Sequence, residues 1–214
     1  MNKVFSILFF VLIISIGLFQ FIRNSEPSIN YERFNLVSPG ILRTPDKRFE
    51  DLKDYPFTPN YLTIGDTRIH YIDEGPKDGQ IVYLLHGEPT WSYLFRKMIP
   101  TLVNEGFRVI APDMVGFGKS DKYISTDDYS HQMHVEKMTQ LIVELDLKNI
   151  TAHFHDWGGP VGFRVLAEEP NRFDRVIATN TSLPATGRGF LNDLRGYIIS
   201  VSYTHLTLPT KQDV

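Results

Sequence analysis

NITAHFHDWGGPVGF, residues 149–163, divides into three parts on chemical grounds. A β-prone run over 150–154 stops at His155-Asp156-Trp157, and Gly158-Gly159 then opens a helix-compatible segment running to about residue 168. A strand, a sharp turn and a helix in that order form the nucleophile elbow, which lifts one side chain off the carboxyl end of a strand. Here that side chain is Asp156. The glycines suit the bend because a Cβ there would collide with the returning backbone, and free amides at a helix start favour a nearby anion. A carboxylate in that position attacks carbon directly, with no base needed to deprotonate it. The same Asp before two glycines also fits an ordinary helix N-cap. The loops upstream bear on the choice.

Composition bounds the rest. The 214 residues are 42% hydrophobic and 13% aromatic, ample for one core and short for two full domains. A net charge of -3 with dispersed Lys and Arg offers nucleic acid no basic patch. The absence of cysteine excludes disulfides, thiolate metal sites and a Cys nucleophile. Nothing in the pattern implies a metal or a cofactor.

Residues 1–23 stand apart as a transmembrane anchor or signal segment. Lys3 precedes an apolar run over 4–22, long enough to cross a bilayer as a helix and without an A-x-A cleavage pattern. An uncleaved anchor is the first reading, a cleaved signal the second and a buried core helix the third. The domain is then membrane-anchored or exported, on the periplasmic or extracytoplasmic side. Lys3 and Arg23 flank the run symmetrically, so orientation is open. Residues 24–40 read as a linker.

From residue 41 an α/β pattern begins. RIHYIDE (68–74) alternates as a half-buried strand, GPKDG (75–79) turns, and IVYLL (81–85) is the continuous apolar run of an interior parallel strand. HGEPT (86–90) is a loop before helical spacing over 91–104. Residues 108–111 form another interior strand ending in PDMVGFGKS (112–120), and 129–145 puts Met133, Met138, Leu141 and Leu145 on one helical face. After the elbow, 175–179 supplies a further strand. Strands alternating with helices predict a doubly wound, mostly parallel sheet whose site lies in the loops after the strands.

Three such loops carry chemistry. His86-Gly87-Glu88-Pro89-Thr90-Trp91 and its continuation to Pro100, Ala111-Pro112-Asp113 with GFGKSDK (116–122), and His155-Asp156-Trp157-Gly158-Gly159 resemble haloalkane dehalogenases of the α/β-hydrolase fold. RTPD (43–46) and YPFTPNYL (55–62) are similar to the N-terminal part of the subgroup that carries Glu after the His-Gly. The resemblance covers residues 41 to 181. It implies that Asp156 is the nucleophile displacing halide from an sp3 carbon to form an alkyl ester. It implies too that the backbone amides of Glu88 and Trp157 form the oxyanion hole, and that the Trp157 indole N–H cradles the departing halide. The partners would be a small halogenated alkane and water. Outside the motif, Trp157 would read as a core aromatic. His86 reads as structural, bonded to backbone near the oxyanion loop, and the Glu88 side chain has no direct part. Asp113 caps the Gly-rich turn, while His131, His134 and His153 read as surface or satisfied polar residues.

Two departures stand out. Phe154, two before the nucleophile, occupies a place usually given to a small residue. After Asp156 the only histidine is His205, and the family's cap, acid, catalytic His and second halide donor have no counterpart. VSYTHLTLPTKQDV (201–214) does not continue the preceding logic. Residues 41–200 are therefore expected to be a partial α/β-hydrolase domain, incomplete at the C-terminus, with 201–214 a non-native tail, and the fragment inactive or limited to a single turnover. Two alternatives stay open: an epoxide hydrolase of the same fold, and a non-catalytic membrane-tethered module. The anchor reading makes one prediction: the expressed protein partitions into membranes with residues 1–23 retained, checked by N-terminal sequencing, and a soluble product beginning near Asn24 refutes it.

Overall fold

The structure is a computed structural model that describes residues 35–182. The expected anchor, the 201–214 tail and His205 lie outside that range. Among the described residues no helix is long and apolar enough to cross a membrane.

The main sheet comprises β3 (Asn60–Ile64), β4 (Thr67–Glu74), β5 (Ile81–Leu85), β6 (Arg108–Pro112), β8 (Ile150–His155) and β9 (Phe173–Thr179), in the order β3-β4-β6-β5-β8-β9. The β6-β5-β8-β9 neighbours pair in parallel, whereas β4 pairs antiparallel with both β3 and β6. A second, three-stranded sheet holds β1 (Asn35–Ser38), β2 (Ile41–Arg43) and β7 (Lys122–Tyr123). Residues 35–38, read from sequence as the end of a linker, are thus already a strand. β1 is mostly exposed and shows no inward alternation. Its pairing with β2 (Leu36 opposite Leu42) makes it a strand, and that partnership is invisible to periodicity.

The sheet is covered on both faces, and alternation along its strands sorts the side chains. Tyr83 and Leu85 of β5 and Ile110 of β6 join one core with Ala152 and Phe154 of β8. That core is closed by Met138, Leu141 and Ile142 of α2 (His131–Glu144) and by Val161 and Val165 of α3 (Gly158–Glu168). Val82 and Leu84 point the other way, with Val109 and Ala111, onto Phe95 and Ile99. Ile99 lies on α1 (Met98–Asn104). The helical spacing over 91–104 resolves into a 3₁₀ turn, Ser92–Phe95, followed by α1. Pro100 falls in the first turn of α1, where its missing N–H costs nothing.

Phe154 is fully buried, and the space for its ring comes from Gly162 of α3. A Cβ on Gly162 would lie 2.5 Å from Phe154 Cε1. The Phe154 ring fills the space that Gly162 leaves open, so the elbow strand and its helix close against each other. Gly162→Ala should gain about 1 kcal/mol of helix propensity but lose more to overpacking, a net destabilisation of roughly 1–2 kcal/mol. Phe154→Val in the same chain should recover part of it. Urea denaturation of the two single variants and the double variant checks this, and strictly additive effects would exclude the coupling.

Candidate active site

The site is built where β5 and β8 end side by side. β8 stops at His155, and Asp156 takes φ 53, a left-handed conformation that costs a non-glycine residue on the order of 1–2 kcal/mol. Its backbone is held on both sides: the Asp156 N–H donates to the Thr179 carbonyl (3.4 Å), and the Asp156 carbonyl accepts from the Gly159 N–H (2.9 Å) and the Thr181 hydroxyl (2.6 Å). The turn therefore presents the Asp156 side chain at the head of α3.

Asp156 Oδ1 accepts two backbone N–H groups, from Glu88 at 3.0 Å and from Trp157 at 2.6 Å. One amide comes from the loop after β5 and the other from the elbow itself. Gly87 allows the two loops to meet, because a Cβ there would overlap Asp156 and lie 2.6 Å from the Trp157 nitrogen. The Glu88 side chain is exposed, so only its backbone takes part, and the Glu88-Pro89 peptide is cis. Trp157 contributes its amide to this pocket, while its side chain is 55% exposed and forms no part of the buried core. The three residues singled out by sequence, Asp156, Glu88 and Trp157, are brought together, with the two amides on one carboxylate oxygen. Thr179 and Thr181, which grip the backbone of Asp156, carried no signal in the sequence.

His86 is fully buried at the end of β5. Its Nε2 accepts from the Met114 N–H (3.0 Å), so its proton sits on Nδ1 and is donated to the Gly87 carbonyl (2.9 Å). Burial pushes its pKa below the ordinary value, against the pull of Asp113. With both nitrogens committed to backbone, His86 ties the β5 loop to the β6 loop and leaves no lone pair for a substrate.

Asp113, at the end of β6, holds those loops from beneath. Its carboxylate accepts from the Ser92 N–H, the Lys119 N–H and His70 Nδ1, each at 2.8 Å, with no exposed surface. Capping of the Gly-rich turn, expected for Asp113, is one of these three bonds. Burial alone would raise its pKa; the charge and hydrogen bond of His70, with His86 and the Ser92 amide, outweigh that and hold it at about 2. His153 and Thr179 Oγ1 share a hydrogen bond (2.9 Å), and His134 packs its ring against Phe117 and Tyr129. Among the described residues no group of three or more His, Cys, Asp or Glu could hold a metal ion.

Residues 80–201 match the family described as alpha/beta hydrolase fold. A haloalkane dehalogenase of Psychrobacter cryohalolentis is 55% identical over 159 residues, which are 70% of this chain and 52% of that protein. A solved haloalkane dehalogenase, DpaA of Paraglaciecola agarilytica NO2, superposes with a TM-score of 0.67 at 42% identity, over 78% of this chain and 57% of that one. An epoxide hydrolase structure from hot-environment metagenomes superposes with a TM-score of 0.56 at 29% identity, over 61% of this chain and 44% of that one. The chain spans about half the length of the curated relatives it matches.

The histidines give this region a pH dependence. Burial, reinforced by neighbouring histidines, holds His134 and His153 down at about 4. Folding then favours their neutral forms, so their contribution to stability is present above the unfolded value of about 6.5 and is lost as pH falls from there toward 4. Asp113, depressed instead to about 2, keeps its contribution above the unfolded carboxylate value of about 3.9 and loses it only as pH falls toward 2. Melting temperature should thus begin to fall below pH 6.5. His153→Gln should flatten that early limb, and an unchanged slope in the variant would refute the assignment.

Proposed function

The chain belongs to the alpha/beta hydrolase fold family, and from that premise we propose that it is a haloalkane dehalogenase-type hydrolase acting through an aspartyl alkyl ester. The observation that carries this reading is the division of labour within one carboxylate. Oδ1 of Asp156 receives both amides, which leaves Oδ2 as the attacking atom. Oδ2 forms a bond to the sp3 carbon of a small haloalkane, the carbon–halogen bond breaks, and the halide leaves with the electron pair. The Trp157 indole N–H is a donor with no acceptor, suited to a weakly hydrated anion.

The second half-reaction uses the same two amides. Water attacks the ester carbon, negative charge develops on Oδ1, and the Glu88 and Trp157 N–H groups already point at it. Activation of that water requires a base. His86 has both nitrogens bonded to backbone, and His70 is buried against Asp113. Neither of these two histidines supplies that base, so the reading assigns only the first step to the residues named above. Attachment to a membrane through residues 4–22 remains part of the proposal and rests on the sequence alone.

A bromoalkane added to the 214-residue chain should release at most one halide per protein and leave an alkyl mass on Asp156. Asp156→Asn should abolish both, and Gly87→Ala, which forces the nucleophile aside, should slow adduct formation about a hundredfold. Intact-mass spectrometry with halide counting measures this. Steady multiple turnover would reveal a base in the chain, adduct formation with an epoxide alone would favour epoxide hydrolysis, and no adduct from a folded chain would favour a non-catalytic module.

A further inference from the structure

The carbonyl of Asp156 and the amide N–H of Trp157 are two ends of one planar peptide group. At one end the carbonyl accepts from the Thr181 hydroxyl (2.6 Å) and from the Gly159 N–H (2.9 Å). At the other end the Trp157 N–H donates to Asp156 Oδ1 at 2.6 Å. Hydrogen bonds on a carbonyl polarise the amide and strengthen donation from its N–H. The approach of Thr181 is built in: a Cβ on Gly159 would overlap the Thr181 side chain, so the glycine after the turn is what admits the hydroxyl.

We infer that Thr181 is a positioning residue that tunes the oxyanion pocket through this single peptide. The inference rests on the reading of Asp156 as nucleophile. It goes beyond that reading by giving the two half-reactions opposite responses. Alkylation at Oδ2 removes charge from Oδ1, so a stronger Trp157 donor stabilises the starting carboxylate more than the transition state. Attack on the resulting ester places charge on Oδ1, so the same donor lowers that barrier. The Thr181 hydroxyl therefore trades some speed in the first step for speed in the second.

The second step can be read without a catalytic base by using hydroxylamine on the alkylated protein. Its nitrogen bonds to Cγ, charge moves onto Oδ1, and collapse breaks the Cγ–Oδ2 bond. The alkoxide leaves as the alcohol with a proton from the nitrogen, and Asp156 remains as a hydroxamate. Thr181→Val keeps the shape and removes the donor, and Thr181→Ser restores the donor. In Thr181→Val, alkylation by a bromoalkane should be at least as fast as in the parent chain, whereas hydroxylamine release should slow by about tenfold, and Thr181→Ser should reverse the change. A backbone amide NMR spectrum without substrate gives an independent reading: the Trp157 amide proton should move upfield in Thr181→Val, or in Thr181→Ala if the valine variant misfolds, and return in Thr181→Ser. An unmoved Trp157 amide, or equal slowing of both reactions, overturns the inference. No adduct on the parent chain would instead refute Asp156 as nucleophile, and the NMR comparison would still decide whether Thr181 acts on the Trp157 amide.

Discussion

Two backbone amides from different strands can share one carboxylate oxygen only if the strand ends meet with no side chain between them. That close approach, of the β5 end to the β8 end, organises the candidate site. Gly87 supplies it on one side. The left-handed Asp156 supplies it on the other, because only a reversal within one residue brings Oδ1 back over both the Trp157 and the Glu88 nitrogens. The strain of that conformation is offset by hydrogen bonds from β9 and from the start of α3, so Asp156 is held through its backbone while Oδ2 carries none of these restraining bonds.

Beneath the site, a second charge does structural work. Asp113 is a carboxylate without solvent, a state that costs several kcal/mol unless its oxygens are filled. They are filled by donors from three segments: His70 of β4, Ser92 after β5 and Lys119 after β6. His86 repeats the theme by bridging Gly87 and Met114. The loops that carry the amides are thereby tied to each other by polar bonds, which fix direction as well as distance. A residue in such a position can resemble catalytic machinery in sequence while having no atom left for a substrate.

Packing sets the remaining tolerance. α3 must lie close to β8 for the elbow to be tight, yet β8 carries a fully buried Phe at the position beneath the turn. Gly162 resolves the conflict by giving up its side chain where the ring passes. The elbow thus closes with the large side chain on the strand and the glycine on the helix.

What the sequence determined by itself was local in origin. The apolar run Ile81–Leu85, the strand-turn-helix pattern around Asp156 and the helical spacing over 129–145 all reflect periodicities of 2 and 3.6 or the conformational needs of glycine, and those act within a few residues. The same reading brought Asp156, Glu88 and Trp157 to one crevice, because parallel strands put their following loops at one edge. It had no access to interactions made between segments distant in the chain. The strand at 35–38 exists through its pairing with β2, and the helix expected from residue 91 is delayed while Ser92 gives its N–H to Asp113. The grip of Thr181 on Asp156, across 25 residues, and the fit of Phe154 into Gly162 likewise arise only after the sheet has assembled. Tertiary structure decided these because each depends on a distance between chain segments, and residue type alone carries no such distance.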